Sequence, residues 1–222
     1  MPKVKIAPSF LTADIARIED EVRAVEAAGA DVLHLDVMDG HFVPPITFGE
    51  LVIEAIRKIT SLPLDVHLMI EQPERHIESF AEAGSDILSV HVEACPNVRQ
   101  VLGQIKALEK RAGVCVSPQT PLSAIEDVLH AVDQVIVMGV NPGWGGQKLI
   151  PETLPKISRL RAMLAERHVS PDIELDGGVK IANVAGCVRA GASVLVAGSV
   201  VFNDEASVAD NMRALREALD KA

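Results

Sequence analysis

Short apolar runs rich in Val, Ile and Leu alternate with stretches of helical periodicity along the whole chain, and this alternation restricts the fold more than any other feature. The runs are "KVKIAPS", "DVLHLDVM", "LPLDVHLMI", "DILSVHV", "AGVCVS", "DQVIVMGV", "DIELDGG" and "ASVLVAGS". After each comes a segment with apolar residues at helical spacing, such as "ADIARIEDEVRAVEAAGA", "PLSAIEDVLHA" or "EASVADNMRALREALDK". Eight strand-helix pairs in 222 residues predict a single-domain α/β protein, a (β/α)8 TIM barrel over residues 1–222, compact against the usual ~250 residues. A doubly wound open sheet is the rival, but it usually needs fewer units. Three helix-to-strand junctions repeat weakly, as "AAGADVL" from 27, "EAGSDIL" from 82 and "RAGASVL" from 189.

In a strand, alternate side chains share a face. "DVLHLDVM" therefore puts Leu33, Leu35 and Val37 on one side, and His34, Asp36 and Met38 on the other. "LDVHLM" repeats the pattern with Asp65, His67 and Met69, and "IELDGG" ends its strand at Asp176. A buried carboxylate without a partner costs several kcal/mol, so these faces require a cation, a counter-charge or a chemical task. Barrels gather their chemistry at the C-terminal ends of the strands, where His34, Asp36, His67 and Asp176 fall. Two imidazoles and two carboxylates suit one divalent metal, Zn2+, Fe2+, Mn2+ or Co2+ better than Mg2+.

Glycine-rich segments follow the last three strands: "VNPGWGGQK" (140–148), "DGG" (176–178) and "AGS" (197–199). Barrels bind phosphate there, with glycines letting backbone amides approach the anion. Met38, Met69 and Met138 recur on or near the strands that line the mouth, either as core filler or as an apolar wall over a reactive centre. His91 ends its strand near the mouth without an assigned role, and His41, His76, His130 and His168 receive none.

Composition removes other classes. The formal charge of −10, with 3% aromatic residues and no Tyr, excludes a nucleic-acid surface. Cys95, Cys115 and Cys187 form no C-x-x-C pair and read as buried thiols in a reducing compartment. "MPKVKIAPSF" lacks the apolar run of a signal peptide, and no stretch is long enough to span a membrane, so a cytoplasmic protein is expected.

The segments "APSFLTADIARIEDEVRAVEAAGADVLHLDVMDGHFVP", "LPLDVHLMIEQPERHI", "VMGVNPGWGGQKLIP" and "ELDGGV…VAGSVVF" together resemble the ribulose-phosphate 3-epimerase family, from about Ile6 to Phe202. The resemblance implies a metal-dependent isomerase that inverts C3 of D-ribulose 5-phosphate to give D-xylulose 5-phosphate reversibly, through a metal-stabilised cis-enediolate. It places such an enzyme in the pentose phosphate pathway or carbon fixation, as a homo-oligomer. The family's metal ligands match His34, Asp36, His67 and Asp176, and its acid/base pair matches Asp36 and Asp176. Its substrate contacts match Ser9, His67, Gly143, Trp144, Gly145, Gly146, Asp176, Gly177, Gly178, Gly198 and Ser199, with Met38, Met69 and Met138 lining the site.

The chain departs from the family pattern at Trp144, where Phe is common, and at Gly139, where Ser or Thr is frequent. Ser117-Pro118 stands for a usual Asn-Pro, and "PSFLTAD" for "PSILSAD". None of these is a metal or acid/base position; they bear on the shape of the lid. Two other readings stay open: a 3-epimerase for a six-carbon ketose phosphate such as D-allulose 6-phosphate, and a non-catalytic phosphate-binding barrel.

Overall fold

The structure, a computed structural model, describes residues 3–222. Met1 and Pro2, the start of the expected 1–222 domain, lie outside them. Eight strands form the wall: β1 (Lys5–Pro8), β2 (Leu33–Met38), β3 (Leu64–Met69), β4 (Ile87–His91), β5 (Arg111–Val116), β6 (Gln134–Met138), β7 (Asp172–Asp176) and β8 (Val194–Ala197). All pair in parallel, in the order β1-β8-β7-β6-β5-β4-β3-β2. The parallel bridge between Ser9 and His34 joins the two ends of this series. The expected eight-stranded barrel is therefore present.

Seven helices surround it: α1 (Ile18–Ala27), α2 (Glu50–Arg57), α3 (Ile77–Glu82), α4 (Val98–Ala107), α5 (Thr153–Glu166), α6 (Val184–Ala190) and α7 (Val208–Asp220). The segment after β5 departs from the expectation of a helix. It forms two short 3-10 turns, Leu122–Ala124 and Glu126–Val128. Leu122, Ile125 and Val128 recur every third residue, which aligns them along a helix of three residues per turn. Ile125 and Val128 are buried by that arrangement.

The outward faces of the strands supply the main core. Leu33, Leu35 and Val37 of β2 pack with Leu64, Val66 and Leu68 of β3, against helix residues such as Val22, Val25, Ile53 and Ile56. Each such side chain contributes about 1.5–3 kcal/mol when fully buried. The inward faces are mixed. Ala7, Val194 and Val196 make one apolar patch, and Cys115, Ile136, Met138 and Val140 another. Between them His34, Asp36, Asp65, His67, Ser89, His91, Gln134, Glu174 and Asp176 are all buried. Among the described residues no helix is long and apolar enough to cross a membrane.

The repeated junctions in the sequence have a structural counterpart at the N-terminal end of the barrel. Asp31 donates its amide to the carbonyl of Ile6 at 3.0 Å and accepts the Ile6 amide on its carboxylate at 2.9 Å. Asp86 and Leu64 make the same reciprocal pair (3.0 and 2.8 Å), as do Asp133 and Ala112 (2.8 and 2.7 Å). Ser193 and Ile173 complete the set through the serine hydroxyl (2.8 and 2.9 Å). Each even-numbered strand is thus clipped to the odd-numbered strand before it by one side chain of the loop that precedes it.

Asp86→Ala leaves the Leu64 amide without its acceptor and is expected to cost about 1–3 kcal/mol in urea unfolding. Asp86→Asn keeps that acceptor and loses only the half-exposed ion pair with Arg57, so it should cost less than about 1 kcal/mol. Equal losses for the two variants would contradict the clip.

Candidate active site

The register of the strands brings the polar residues to one level. Asp36 of β2 stands beside His67 of β3, and Met38 beside Met69. Met138 of β6 stands beside Asp176 of β7. Since β1 and β8 separate β2 from β7 around the wall, Asp36 and Asp176 approach from different sides.

Four atoms face one another at that level. His34 Nε2 lies 3.3 Å from Asp36 Oδ1 and 3.8 Å from Asp176 Oδ2. His67 Nδ1 lies 3.2 Å from Asp36 Oδ1 and 3.3 Å from Asp176 Oδ2. Ligand atoms about 2.0–2.2 Å from a tetrahedral cation stand roughly 3.3–3.6 Å apart, so the spacing suits one small divalent ion. His34 Nε2 is buried and has no hydrogen-bond partner in the protein, as a nitrogen reserved for a metal would be. The residues present fit the metal that the family resemblance implies.

Electrostatics point the same way. Burial pushes the Asp36 carboxyl up, but the His34 and His67 imidazoles outweigh it and hold it well below the usual carboxylate range. Burial pushes His34 down, yet Asp36, Asp65 and Glu174 raise it well above its ordinary value. His67 is likewise raised against burial, by Cys115, Asp176 and Asp36. The cluster is short of positive charge and recruits protons in its place.

A second layer lies deeper. His34 Nδ1 is 3.2 Å from Asp65 Oδ2 and 3.2 Å from Glu174 Oε1, and Gln134 donates to Asp65 at 3.0 Å. Burial and the neighbouring Asp65 push Glu174 well up, whereas His34 holds Asp65 down against its own burial. Beside His67, His91 approaches with Nε2 at 2.9 Å, and its Nδ1 is 3.0 Å from Glu93 Oε2.

Above this floor lies a narrow cleft that is partly open to solvent. Its walls include Ser9, Asp36, Asp176, the three methionines Met38, Met69 and Met138, and every glycine that the resemblance assigns to substrate: Gly143, Gly145, Gly146, Gly177, Gly178 and Gly198, with Trp144 and Ser199. His34 and His67 are fully buried beneath the floor and do not line the cleft. Ser9 donates its hydroxyl to Asp36 Oδ2 at 2.7 Å. Gly178 has φ of +74°, and a Cβ there would lie 2.3 Å from the Leu149 amide nitrogen, so only glycine fits. Among the described residues, the amides of Gly178, Gly198 and Ser199 donate to no loop or turn acceptor and remain available to an anion.

The matching family model, described as "Ribulose-phosphate 3 epimerase family", aligns with residues 5–202. The chain belongs to the ribulose-phosphate 3-epimerase family. Relatives named ribulose-phosphate 3-epimerase include one from Synechocystis, 53% identical over 90% of this chain and 88% of its own length. Another, from Bacillus subtilis, is 49% identical over 96% and 97%. One from Escherichia coli is 42% identical over 96% of each. The expected isomerase reading, an epimerase of carbohydrate metabolism, therefore holds. At 13% identity, KGPDC from Streptococcus mutans superposes with a TM-score of 0.76 over 98% of both chains and shares the epimerase barrel.

Some groups at this epimerase site were not singled out from sequence. Glu174 sits two residues before Asp176, and strand alternation alone places both on one face. Lys180, whose Nζ donates to Ser199 at 2.8 Å, is two residues beyond "DGG" and carries no local signal. His91, left without a role, packs against His67.

A divalent cation taken up by the four facing groups must displace protons from His34 and His67, because both are raised well above the ordinary imidazole value. Zn2+ titration at pH 7 is therefore expected to release at least one proton per cation, with affinity falling as pH is lowered. Calorimetry in two buffers of different ionisation enthalpy measures this. Binding with no proton release would contradict it.

Proposed function

We propose that the chain interconverts D-ribulose 5-phosphate and D-xylulose 5-phosphate, with Asp36 and Asp176 as the acid/base pair. The observation that carries this reading is the placement of two carboxylates on the floor of one cleft, from strands on different sides of the barrel. Inverting C3 requires a proton to leave one face of the carbon and another to arrive on the opposite face. One carboxylate takes the first and the other delivers the second, with roles exchanged in the reverse direction. The Ser9 hydroxyl on Oδ2 and the imidazoles near Oδ1 fix the plane of the Asp36 carboxylate. Met38, Met69 and Met138 supply an apolar wall that keeps water from the carbanionic intermediate.

His34, Asp36, His67 and Asp176 would hold one divalent cation per subunit, and the nitrogen-oxygen donor set favours Zn2+, Fe2+, Mn2+ or Co2+. Such an ion, when bound, supplies Lewis-acid stabilisation of negative charge on the ketone oxygen. The amides of Gly178, Gly198 and Ser199 take the phosphate and orient the sugar over the carboxylates. Lys180, held at Ser199, adds a positive charge at the rim of a cleft whose wall contains no Lys or Arg among the described residues.

Proton NMR of D-ribulose 5-phosphate in D2O with the metal-loaded protein tests the reading. Loss of the C3 proton signal with growth of xylulose 5-phosphate is the expected result. An unchanged spectrum removes the pentose substrate and makes D-allulose 6-phosphate the next one to try. Asp36→Asn and Asp176→Asn should each lower kcat by about 10²–10⁴-fold. Activity within threefold of wild type would sink the two-carboxylate scheme. Ser199→Asp puts like charge beside the phosphate and should raise KM about tenfold or more; an unchanged KM removes that loop from the site.

A further inference from the structure

Two groups beside the four-residue cluster have no part in the scheme above: the buried His91 and, nearer the surface, Glu93. His67 directs Nδ1 towards Asp36 and Asp176, at 3.2 and 3.3 Å, and directs Nε2 at His91 Nε2, 2.9 Å away. The two rings lie 20° from coplanar with centroids 5.0 Å apart. Because the nitrogens are much closer together than the centroids, the rings meet edge to edge, as an N–H directed at a lone pair requires. On the far side, His91 Nδ1 is 3.0 Å from Glu93 Oε2. The other oxygen of Glu93 accepts the Ser117 amide at 2.8 Å and the Thr120 hydroxyl. Lys156 fixes the same loop by donating to the carbonyls of Ser117 and Thr120, at 2.7 and 2.6 Å.

These contacts determine where the protons sit. An ionised carboxylate only accepts, so the hydrogen between Glu93 and His91 belongs to His91 Nδ1. Burial raises Glu93, but His91, Thr120 and Ser117 outweigh it and bring it down to about 2, which keeps it ionised. A neutral His91 protonated on Nδ1 offers a lone pair on Nε2. Two nitrogens 2.9 Å apart share one hydrogen, which His67 must then carry on Nε2. With Nε2–H held by His91, the proton that a cation displaces from His67 is the one on Nδ1, which leaves that lone pair facing Asp36 and Asp176.

We propose that Glu93 and His91 are positioning residues, a hydrogen-bond relay that locks His67 in the Nε2–H tautomer and so presents its Nδ1 lone pair to the divalent cation. The inference rests on the proposed four-residue cation site. His34 reaches the same end more directly, with Asp65 on its Nδ1 and Nε2 left free. The rival use of these groups is a second cation held by His67, His91 and Cys115, whose donor atoms lie within 4.8 Å of one another. The 2.9 Å separation of the two imidazole nitrogens is shorter than the roughly 3.3 Å edge of a tetrahedral shell, which favours a shared hydrogen.

Glu93→Gln inverts the relay. The oxygen of the introduced carboxamide stays with the Ser117 amide and the Thr120 hydroxyl, so its NH2 faces His91 and must donate to Nδ1. His91 then carries its proton on Nε2, and His67 is left with its proton on Nδ1, where it blocks the cation. The experiment uses the full chain with 15N-labelled histidine. Zn2+ affinity is measured by competition with a chromophoric chelator, and tautomers by long-range 1H–15N correlation on the Zn2+-loaded protein.

The expected result is one Zn2+ per wild-type chain, His91 protonated on Nδ1, and about 10–100-fold weaker Zn2+ binding in Glu93→Gln. Wild-type His91 protonated on Nε2 overturns the relay, and this readout stands even where the variant does not fold. Binding by a folded Glu93→Gln within twofold of wild type also overturns it. A thiolate charge-transfer band after Co2+ loading overturns it in favour of a centre that includes Cys115. A wild-type chain that takes up no cation overturns the four-residue site itself, whereas equal binding by both chains overturns only the relay.

Discussion

The parallel bridge between Ser9 and His34 joins the first strand to the second, and the same two residues meet Asp36. The Ser9 hydroxyl donates to one oxygen of that carboxylate, and His34 Nε2 faces the other. Closing the barrel and assembling the charged cluster are therefore one event. A barrel left open at this seam would expose Asp36 to water and remove the Ser9 hydrogen bond that orients it. Conversely, an Asp36 without its imidazoles would be an uncompensated charge at the seam, the kind of buried group that costs several kcal/mol. His34 connects both layers, with Asp65 on its Nδ1 below and the facing carboxylates on its Nε2 side above.

The two ends of the barrel divide the work. At the N-terminal end, Asp31, Asp86, Asp133 and Ser193 clip strands together in pairs and do no chemistry. At the C-terminal end, the loops after β7 and β8 leave the amides of Gly178, Gly198 and Ser199 without loop or turn acceptors. The clips hold the strand pairs in register from outside the site. The alternating inward faces then deliver His34 with Asp36, and Glu174 with Asp176, at fixed heights. A slip of one residue in β2 would turn Leu35 inward and Asp36 into the helix layer.

Much of this was legible in the sequence because it depends on local period. Alternation in "HLDVM" and "DVHLM" places His34, Asp36 and His67 on inward faces, and eight βα units place those faces around a mouth. The segment after β5 failed that logic, because a three-residue apolar repeat there builds 3-10 turns instead of a helix. The groups that escaped were those defined by distant partners. His91 acquires meaning only from His67, 24 residues away, and Lys180 only from Ser199, 19 residues away. The weak junction repeat was visible as letters, but its use as a strand clip depends on which neighbour each side chain reaches.

The positions where the chain departs from the family pattern sort by the same physics. Trp144 is 63% exposed, and its loop is tied by the Gln147 side chain to the carbonyls of Asn141 and Trp144. Exchanging its ring for another aromatic leaves those ties in place. Gly139 is different: a Cβ there would lie 2.2 Å from the Gly177 carbonyl oxygen. A Ser or Thr at that position would need the β6 and β7 exits to stand farther apart than they do in this chain. Gly139 therefore bears on the wall of the cleft formed by Gly177 and Gly178. Ser117 bears on the side of His91, since its amide holds Glu93 and its carbonyl holds Lys156. Both of those contacts are made by the backbone, which an Asn at the same place could also supply, whereas no side chain at 139 could reproduce the glycine.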